Sequence, residues 1–408
     1  MLAKMNTLEN YRLSERTGAI LENPLSKLPP EYDPWNRLID DLPNLFQNMT
    51  IRERIKQLPM LEHSSLNSHE ELRLAHKLLA FAASAYVWLH GQGGEPESLP
   101  AQVAVPLVNI SNRLGLQPII THQDLVLGNC LYVSPERPPK VIHLPTQHAS
   151  WEPFIELGGF IEISFAPCLK LMVDAVNAQD PLDVDHIVFC LRKIAEVIPT
   201  MTQGLKMFYD NMSPQEFYVE LRPILSGWTA GKFKDGILYE GVTVEQEGSR
   251  GVDNHTENSE SQNLVIGKRG TKFTCIGGSA AQSITLQALD TFLQIKHHAE
   301  DAAFFQTMCS YMITEHRKFL QDLSQHSRIG DLAHSTDHSA FKLAYNTCIQ
   351  AVRNFRLSHL SLIRRFILEP ASARMAKIKS LETAGTGGQK LLEFLQRVSD
   401  NTAREQIE

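Results

Sequence analysis

Residues 353 to 370 read RNFRLSHLSLIRRFILEP. Through this stretch and the residues before it, apolar side chains recur at Phe341, Tyr345, Cys348, Val352, Phe355, Leu362 and Phe366, in steps of three and four with one gap of seven. That spacing makes one apolar face of a helix, and it predicts a long helix over 338–368. His359 fills the gap, four residues after Phe355 and three before Leu362, so its imidazole points to the interior. A buried imidazole has to find a partner.

The same period recurs outward from this segment. It predicts further helices over 36–48, 69–90, 154–178, 183–210, 214–228, 279–297, 300–324 and 388–402, with one alternating segment, GILYEGV at 236–242, as the best strand. The helix over 69–90 opens with Ser68-His69-Glu70-Glu71, the spacing of a capping box. The expected fold class is therefore all-α. A small N-terminal domain is expected over 1–146, beginning with an irregular arm, and a large helical domain over 147–408. The junction is expected in the aperiodic, proline-flanked LPTQHASWEP at 144–153. Two polar or glycine-rich interruptions follow: 243–272, read as a flexible insertion, and 372–389, a mobile loop containing GTGG.

Composition narrows the class of partner. A net charge of −7, with basic residues scattered along 408 positions, gives no polyanion-binding surface. The six cysteines are far apart and form no C-x-x-C, so they read as free thiols in a reducing compartment. The N-terminus lacks an apolar signal region, and the longest apolar run, LLAFAASAYVWL at 78–89, is too short to cross a bilayer. The chain is read as cytoplasmic and monomeric, without nucleic-acid or membrane partners.

His359 has three readings: a core histidine bonded to a carbonyl or carboxylate, a metal ligand, or the axial ligand of a haem. No H-x-x-x-H or E-x-x-H accompanies it. The haem reading needs only one imidazole, an apolar wall and cations for the propionates. Arg356 lies one turn earlier, about 5 Å along the axis, where a guanidinium can meet a propionate or simply face water. A second unusual segment is SPQEFYVELRPILSGW at 213–228, where Arg222 precedes a helix-disturbing Pro223. Phe217 and Arg222 lie roughly 140° apart around a helix, bordering one concavity. An arginine beside aromatics suits an aromatic carboxylate ligand, or pairs with a structural glutamate. The third is CIGGSAAQSITLQALD at 275–290, whose small residues at a helix start admit a flat ligand or permit tight helix packing. His297-His298 beside Glu300 and Asp301 is a weak metal candidate, because adjacent residues point to different faces. No acid–base dyad stands out, so an enzyme built this way would leave the chemistry to a cofactor.

As an ordered set, these segments resemble the indoleamine 2,3-dioxygenase family, haem enzymes that open the indole ring of tryptophan. The resemblance spans roughly residues 25 to 405. It is carried by F-Y-x-x-L-R-P-x-L-S-G-W at 217–228, D-G-I-L-Y-E-G-V at 235–242, G-G-S-A-A-Q-S at 277–283, R-L-S-H-L followed by F-I-L-E-P-A within 356–371, and G-T-G-G at 385–388. It implies a large helical domain capped by a smaller one, with haem b between them. By position it makes His359 the proximal iron ligand and Arg356 a propionate contact supported by Asp290, with Gly278 beside the cofactor. It makes Arg222 the clamp on the substrate carboxylate and Phe217 and Phe154 walls of the indole pocket. Ser279 and Ala280 become the small residues over the distal face, and Thr386 closes over the amino acid.

The activity implied is cleavage of the C2=C3 bond of L-tryptophan with O2 to N-formylkynurenine, the first step of the kynurenine pathway. Departures from the family pattern lie around the substrate. Vertebrate members carry a serine at the position of Gly158 and a tyrosine at that of His122. The second aromatic by the arginine is Tyr218, the loop reads GTGGQ, and the insertion is long. His122 is a candidate acceptor for the indole N–H, or a rim histidine facing solvent. An oxygen-binding haem protein on the same scaffold, or a haem enzyme acting on another indole, remain alternatives.

Overall fold

The computed structural model describes residues 4–90, 94–229, 231–243, 270–372 and 391–407. The chain is mainly helical. Helices α1 (Asp33–Gln47) and α2 (Ile51–Lys56) pack on α3 (His69–Trp88), and α4 (Ala101–Leu114) lies against α3 from the other direction. The Ser68 hydroxyl accepts from the Glu71 N–H while the Glu71 carboxylate accepts from the Ser68 N–H, so the expected capping box forms. From Leu72 to Trp88 every residue of α3 is buried, as expected for an apolar run too short for a membrane. Among the described residues no helix is long and apolar enough to cross one.

The centre is built from α5 (Trp151–Asn177), α6 (Val184–Asn211) and α13 (Ser339–Ile363), with α6 packed between the other two. The apolar stripe read from the sequence is the buried one: Phe341, Tyr345, Cys348, Val352, Phe355 and Leu362 all face inward. Cys348 donates its S–H to the Leu191 carbonyl of α6 at 2.9 Å. All six cysteines are free thiols. The N-terminal arm packs on the body: the buried Tyr11 donates to Asp322 at 2.7 Å and meets Phe319 edge-on.

Several expected helices are interrupted, each for a local reason. The helix expected over 214–228 divides into α7 (Pro214–Glu216), a π turn over Phe217–Leu221 and α8 (Arg222–Ile224). Pro223 has no N–H for the regular ladder, and the widened turn accommodates the loss. Over 279–297, a 3₁₀ turn (Ala280–Gln282) precedes α9 (Ile284–Leu293), which Ser283 caps and Gln294 ends in a left-handed conformation. The segment over 300–324 becomes α10 (Ala299–Cys309) and α11 (Thr314–His326). Helix α12 (Ile329–Ser335), which the pattern did not indicate, follows. Past Ile363, α13 continues into a π turn over Arg364–Leu368 and α14 (Glu369–Ser372), where Pro370 withholds the N–H that Phe366 would accept. The last helix is α15 (Leu391–Arg404).

The strands are short. β1 (Ser98–Leu99) pairs in parallel with β4 (Ile237–Glu240), and β5 (Gly270–Phe273) is antiparallel to β4, while β2 (Cys130–Leu131) and β3 (Lys140–Val141) pair separately. The insertion expected over 243–272 therefore ends sooner than read, because residues from Gly270 onward are strand. Residues 244–269, and 373–389 of the expected loop with Thr386 and GTGG, lie outside the described residues.

Candidate active site

His359 lies in α13 with Arg356 one turn before it. Protein surrounds the imidazole yet leaves part of its surface accessible, and burial alone pushes its pKa down to about 4. Among the described residues the ring has no hydrogen-bond or ion-pair partner, so it stands neutral at pH 7 with an uncommitted lone pair. Among the described residues no group of three or more His, Cys, Asp or Glu side chains could hold a metal ion. A single imidazole of this kind suits a cofactor that brings its own remaining ligands.

Arg356 is 5% exposed. Its Nη2 donates to both oxygens of Asp290 at 2.6 Å, its Nη1 donates to the Thr402 hydroxyl of α15, and its Nε is buried without a partner. Asp290, on α9, also accepts from His297 Nε2 at 2.8 Å. Burial works to raise the Asp290 pKa, and the charge of Arg356 with the His297 bond outweighs it, so the carboxyl is held below its usual range. The support of Arg356 by Asp290 expected from the resemblance is thus a direct bidentate contact.

Arg222 and the aromatics form a second group. Arg222 is 2% exposed, and its guanidinium carbon stands 5.1 Å over the Tyr218 ring. Burial lowers its pKa to about 10, with Tyr218 acting in the opposite sense, which leaves it fully charged at pH 7. Phe154 and Phe217 meet at 5.6 Å between ring centroids, and Phe217 meets Phe366 edge-on at 6.0 Å. Phe366 is seven residues beyond His359, in the π turn that continues α13, so this wall reaches the element that carries the imidazole.

The GGSAAQS segment anchors both groups. A Cβ on Gly277 would collide with the Leu225 carbonyl oxygen, and one on Gly227 with that of Cys275. Only glycines allow this clasp, closed by the Trp228 N–H donating to the Cys275 carbonyl at 2.7 Å. It fixes the end of the segment that carries Arg222. Gly278 faces Leu125, whose methyl would lie 2.8 Å from an added Cβ. Ser279 accepts from the Ala281 N–H as the cap of the 3₁₀ turn, and Ala280 is exposed.

His122 is 7% exposed, so it is not the solvent-facing rim residue. Its N–H donates to Gln282 Oε1, and its ring Nε2 lies 3.0 Å from Glu162 Oε1. Glu162 Oε2 accepts from Ser283 at 2.9 Å and Thr285 at 2.7 Å, tying α5 to the start of α9. A direct contact between His122 and a substrate would have to use Nδ1. Phe154, Gly158 and Glu162 share one face of α5 at successive turns. Over Gly158, a Val126 methyl of the π turn at Gln123–Leu127 lies 3.3 Å from where a Cβ would stand.

Sequence reasoning passed over Glu162 and Thr402, and read Phe366 only as part of the apolar stripe. Glu162 interrupts the apolar run GGFIEISFAP as His359 interrupts its own stripe, and the same test would have found it. His297 was weighed as a metal candidate beside His298, but its partner is Asp290, and His298 lies instead 3.4 Å from Arg404.

The family described as indoleamine 2,3-dioxygenase matches residues 7–405. The chain is 32% identical to indoleamine 2,3-dioxygenase 2 of Mus musculus, covering 97% of this chain and 94% of that protein. It is 30% identical to a myoglobin of Haliotis diversicolor, covering 98% of each. It is 28% identical to a 6-hydroxytryptophan 2,3-dioxygenase of Fusarium equiseti, covering 97% of each. With a match running almost from end to end, the chain belongs to the indoleamine 2,3-dioxygenase family.

Proposed function

We propose that this chain is a haem-dependent dioxygenase that cleaves the indole C2=C3 bond of tryptophan with O2 to give N-formylkynurenine, the entry reaction of the kynurenine pathway. The observation that carries the reading is the combination of a half-buried imidazole that has no partner among the described residues with a buried, charged arginine that lies over the Tyr218 ring. The residues fit haem b: His359 offers an unprotonated nitrogen to iron, and Arg356 has a buried Nε–H left to give. When bound, the haem iron supplies the activation of O2.

The chain's own part is to bind, orient and exclude water. Arg222 pairs with the substrate carboxylate, and Tyr218 beneath the guanidinium limits its rotation. Phe154 and Phe217 confine the indole ring and strip water from it. His122 contributes from behind, through Glu162 and the turn that begins at Ser279.

A second reading, an oxygen-binding haem protein without indole cleavage, draws on the similarity to the Haliotis myoglobin. The 6-hydroxytryptophan 2,3-dioxygenase gives a third, a substituted indole as substrate. Arg222→Ala separates the first two. Under the dioxygenase reading it lowers kcat/KM for tryptophan by about 2 to 4 kcal/mol of transition-state stabilisation, since it removes a charged, hydrogen-bonded pair. A parent protein that forms no N-formylkynurenine, together with an Arg222→Ala variant of unchanged O2 affinity, would support the carrier instead.

A further inference from the structure

The Arg356 guanidinium is held by more of the chain than the Asp290 pair. Asp290 is held below its usual range and so is ionised and can only accept, which makes both Arg356 Nη2 and His297 Nε2 donors to it. His297 comes from the segment after α9, beyond the left-handed Gln294, and its ring packs 5.1 Å from Phe305. Thr402 of α15 accepts from Nη1 and donates its own hydroxyl to the Val398 carbonyl at 2.9 Å. Three segments besides its own thus hold this side chain, directly or through Asp290, and Nε stays a buried donor without a partner.

We propose that His297 is a positioning residue for the cofactor: by donating to Asp290 Oδ2 it fixes the carboxylate plane, and through it the direction in which Arg356 presents its remaining N–H to a haem propionate. An unanchored carboxylate can rotate about its terminal torsion, which is broad and nearly two-fold, and the bidentate contact would rotate with it. His297 touches neither haem nor substrate in this account. The inference rests on the reading of Arg356 given above.

The test is the rate at which haem leaves the loaded protein for an excess of a haem-scavenging apoprotein, measured for the parent, Arg356→Leu, His297→Leu, His297→Gln and the double variant Arg356→Leu/His297→Leu. His297→Leu should speed haem loss by about tenfold, the worth of a hydrogen bond to a charged group. His297→Gln, whose amide can donate to the same oxygen, should restore most of the parent rate. The double variant should lose haem no faster than Arg356→Leu alone, because His297 acts only through that arginine. Additive losses, or a His297→Gln variant as fast as His297→Leu, would overturn the proposal while leaving Arg356 in its role. An Arg356→Leu variant that keeps haem like the parent would instead overturn the underlying reading. Urea melts of the five haem-free proteins identify any variant whose haem loss merely follows lost stability, and such a result for His297→Leu would also count against the proposal.

Discussion

His122 and His359 are both enclosed imidazoles, and folding has completed them differently. His122 enters the π turn at Gln123–Leu127 with its Nε2 3.0 Å from a buried carboxylate, and that carboxylate also holds Ser283 and Thr285. His359, on α13, has no hydrogen-bonding partner among the described residues, and burial alone governs its proton. His122 gave up water and recovered a partner from the chain, whereas His359 keeps part of its surface accessible and has no partner among the described residues. A buried polar group left unsatisfied costs about 1 to 3 kcal/mol, so a fold that keeps one has another use for it. The region of His122 is a structural joint, whereas the region of His359 keeps a neutral imidazole with an uncommitted lone pair.

The contrast predicts an order of stability effects in the haem-free protein. Glu162→Ala should be the most damaging, because it strands His122, Ser283 and Thr285 together. A loss of about 3 kcal/mol in urea denaturation is expected, and a loss below about 1 kcal/mol would mean that the joint contributes no more than a surface pair.

Lys77 is intermediate. It is 1% exposed and donates to the Gly128 carbonyl at 3.0 Å and Asn129 Oδ1 at 3.1 Å, partners that carry no countercharge, and burial lowers its pKa to about 7. Below pH 7 the lysine is charged in both folded and unfolded chains, and the burial penalty is fully present. Above pH 7 the folded protein releases the proton while the unfolded chain keeps it, so stability rises with pH. Against Lys77→Met, the parent should gain up to about 1.4 kcal/mol per pH unit between pH 7 and 9. A difference that stays flat over that range would show that the ammonium is solvated in the folded state.

The smallest stability effect is expected at His359 itself. His359→Leu replaces a partnerless polar ring with an apolar side chain on an apolar stripe, and should change stability by less than about 1 kcal/mol.

What could be read from the sequence follows the same division. The helical class and the buried stripe of α13 were legible because a period of 3.6 residues repeats over many turns, and His359 was legible as the one polar residue on that stripe. Arg222 and Phe217 were legible as an arginine beside aromatics at a helix-disturbing proline, and the family resemblance brought in Phe154 and Asp290. The breaks at Pro223 and Pro370 were visible as prolines, but whether a helix stops or widens into a π turn depends on what packs beside it. Glu162 was hidden for a different reason: its partners lie 40, 121 and 123 residues away, and no local pattern encodes that meeting. His297 reaches Asp290 only because Gln294 turns left-handed between them.

The most direct test of the account is a haem titration of the haem-free parent and His359→Leu proteins, followed in the Soret region. The parent should bind haem with the spectrum of an imidazole-ligated iron, and His359→Leu, folded and about as stable, should fail to develop that spectrum and should bind far more weakly. A His359→Leu protein that takes up haem with the parent's affinity and spectrum would contradict the claim that this imidazole is left partnerless for iron.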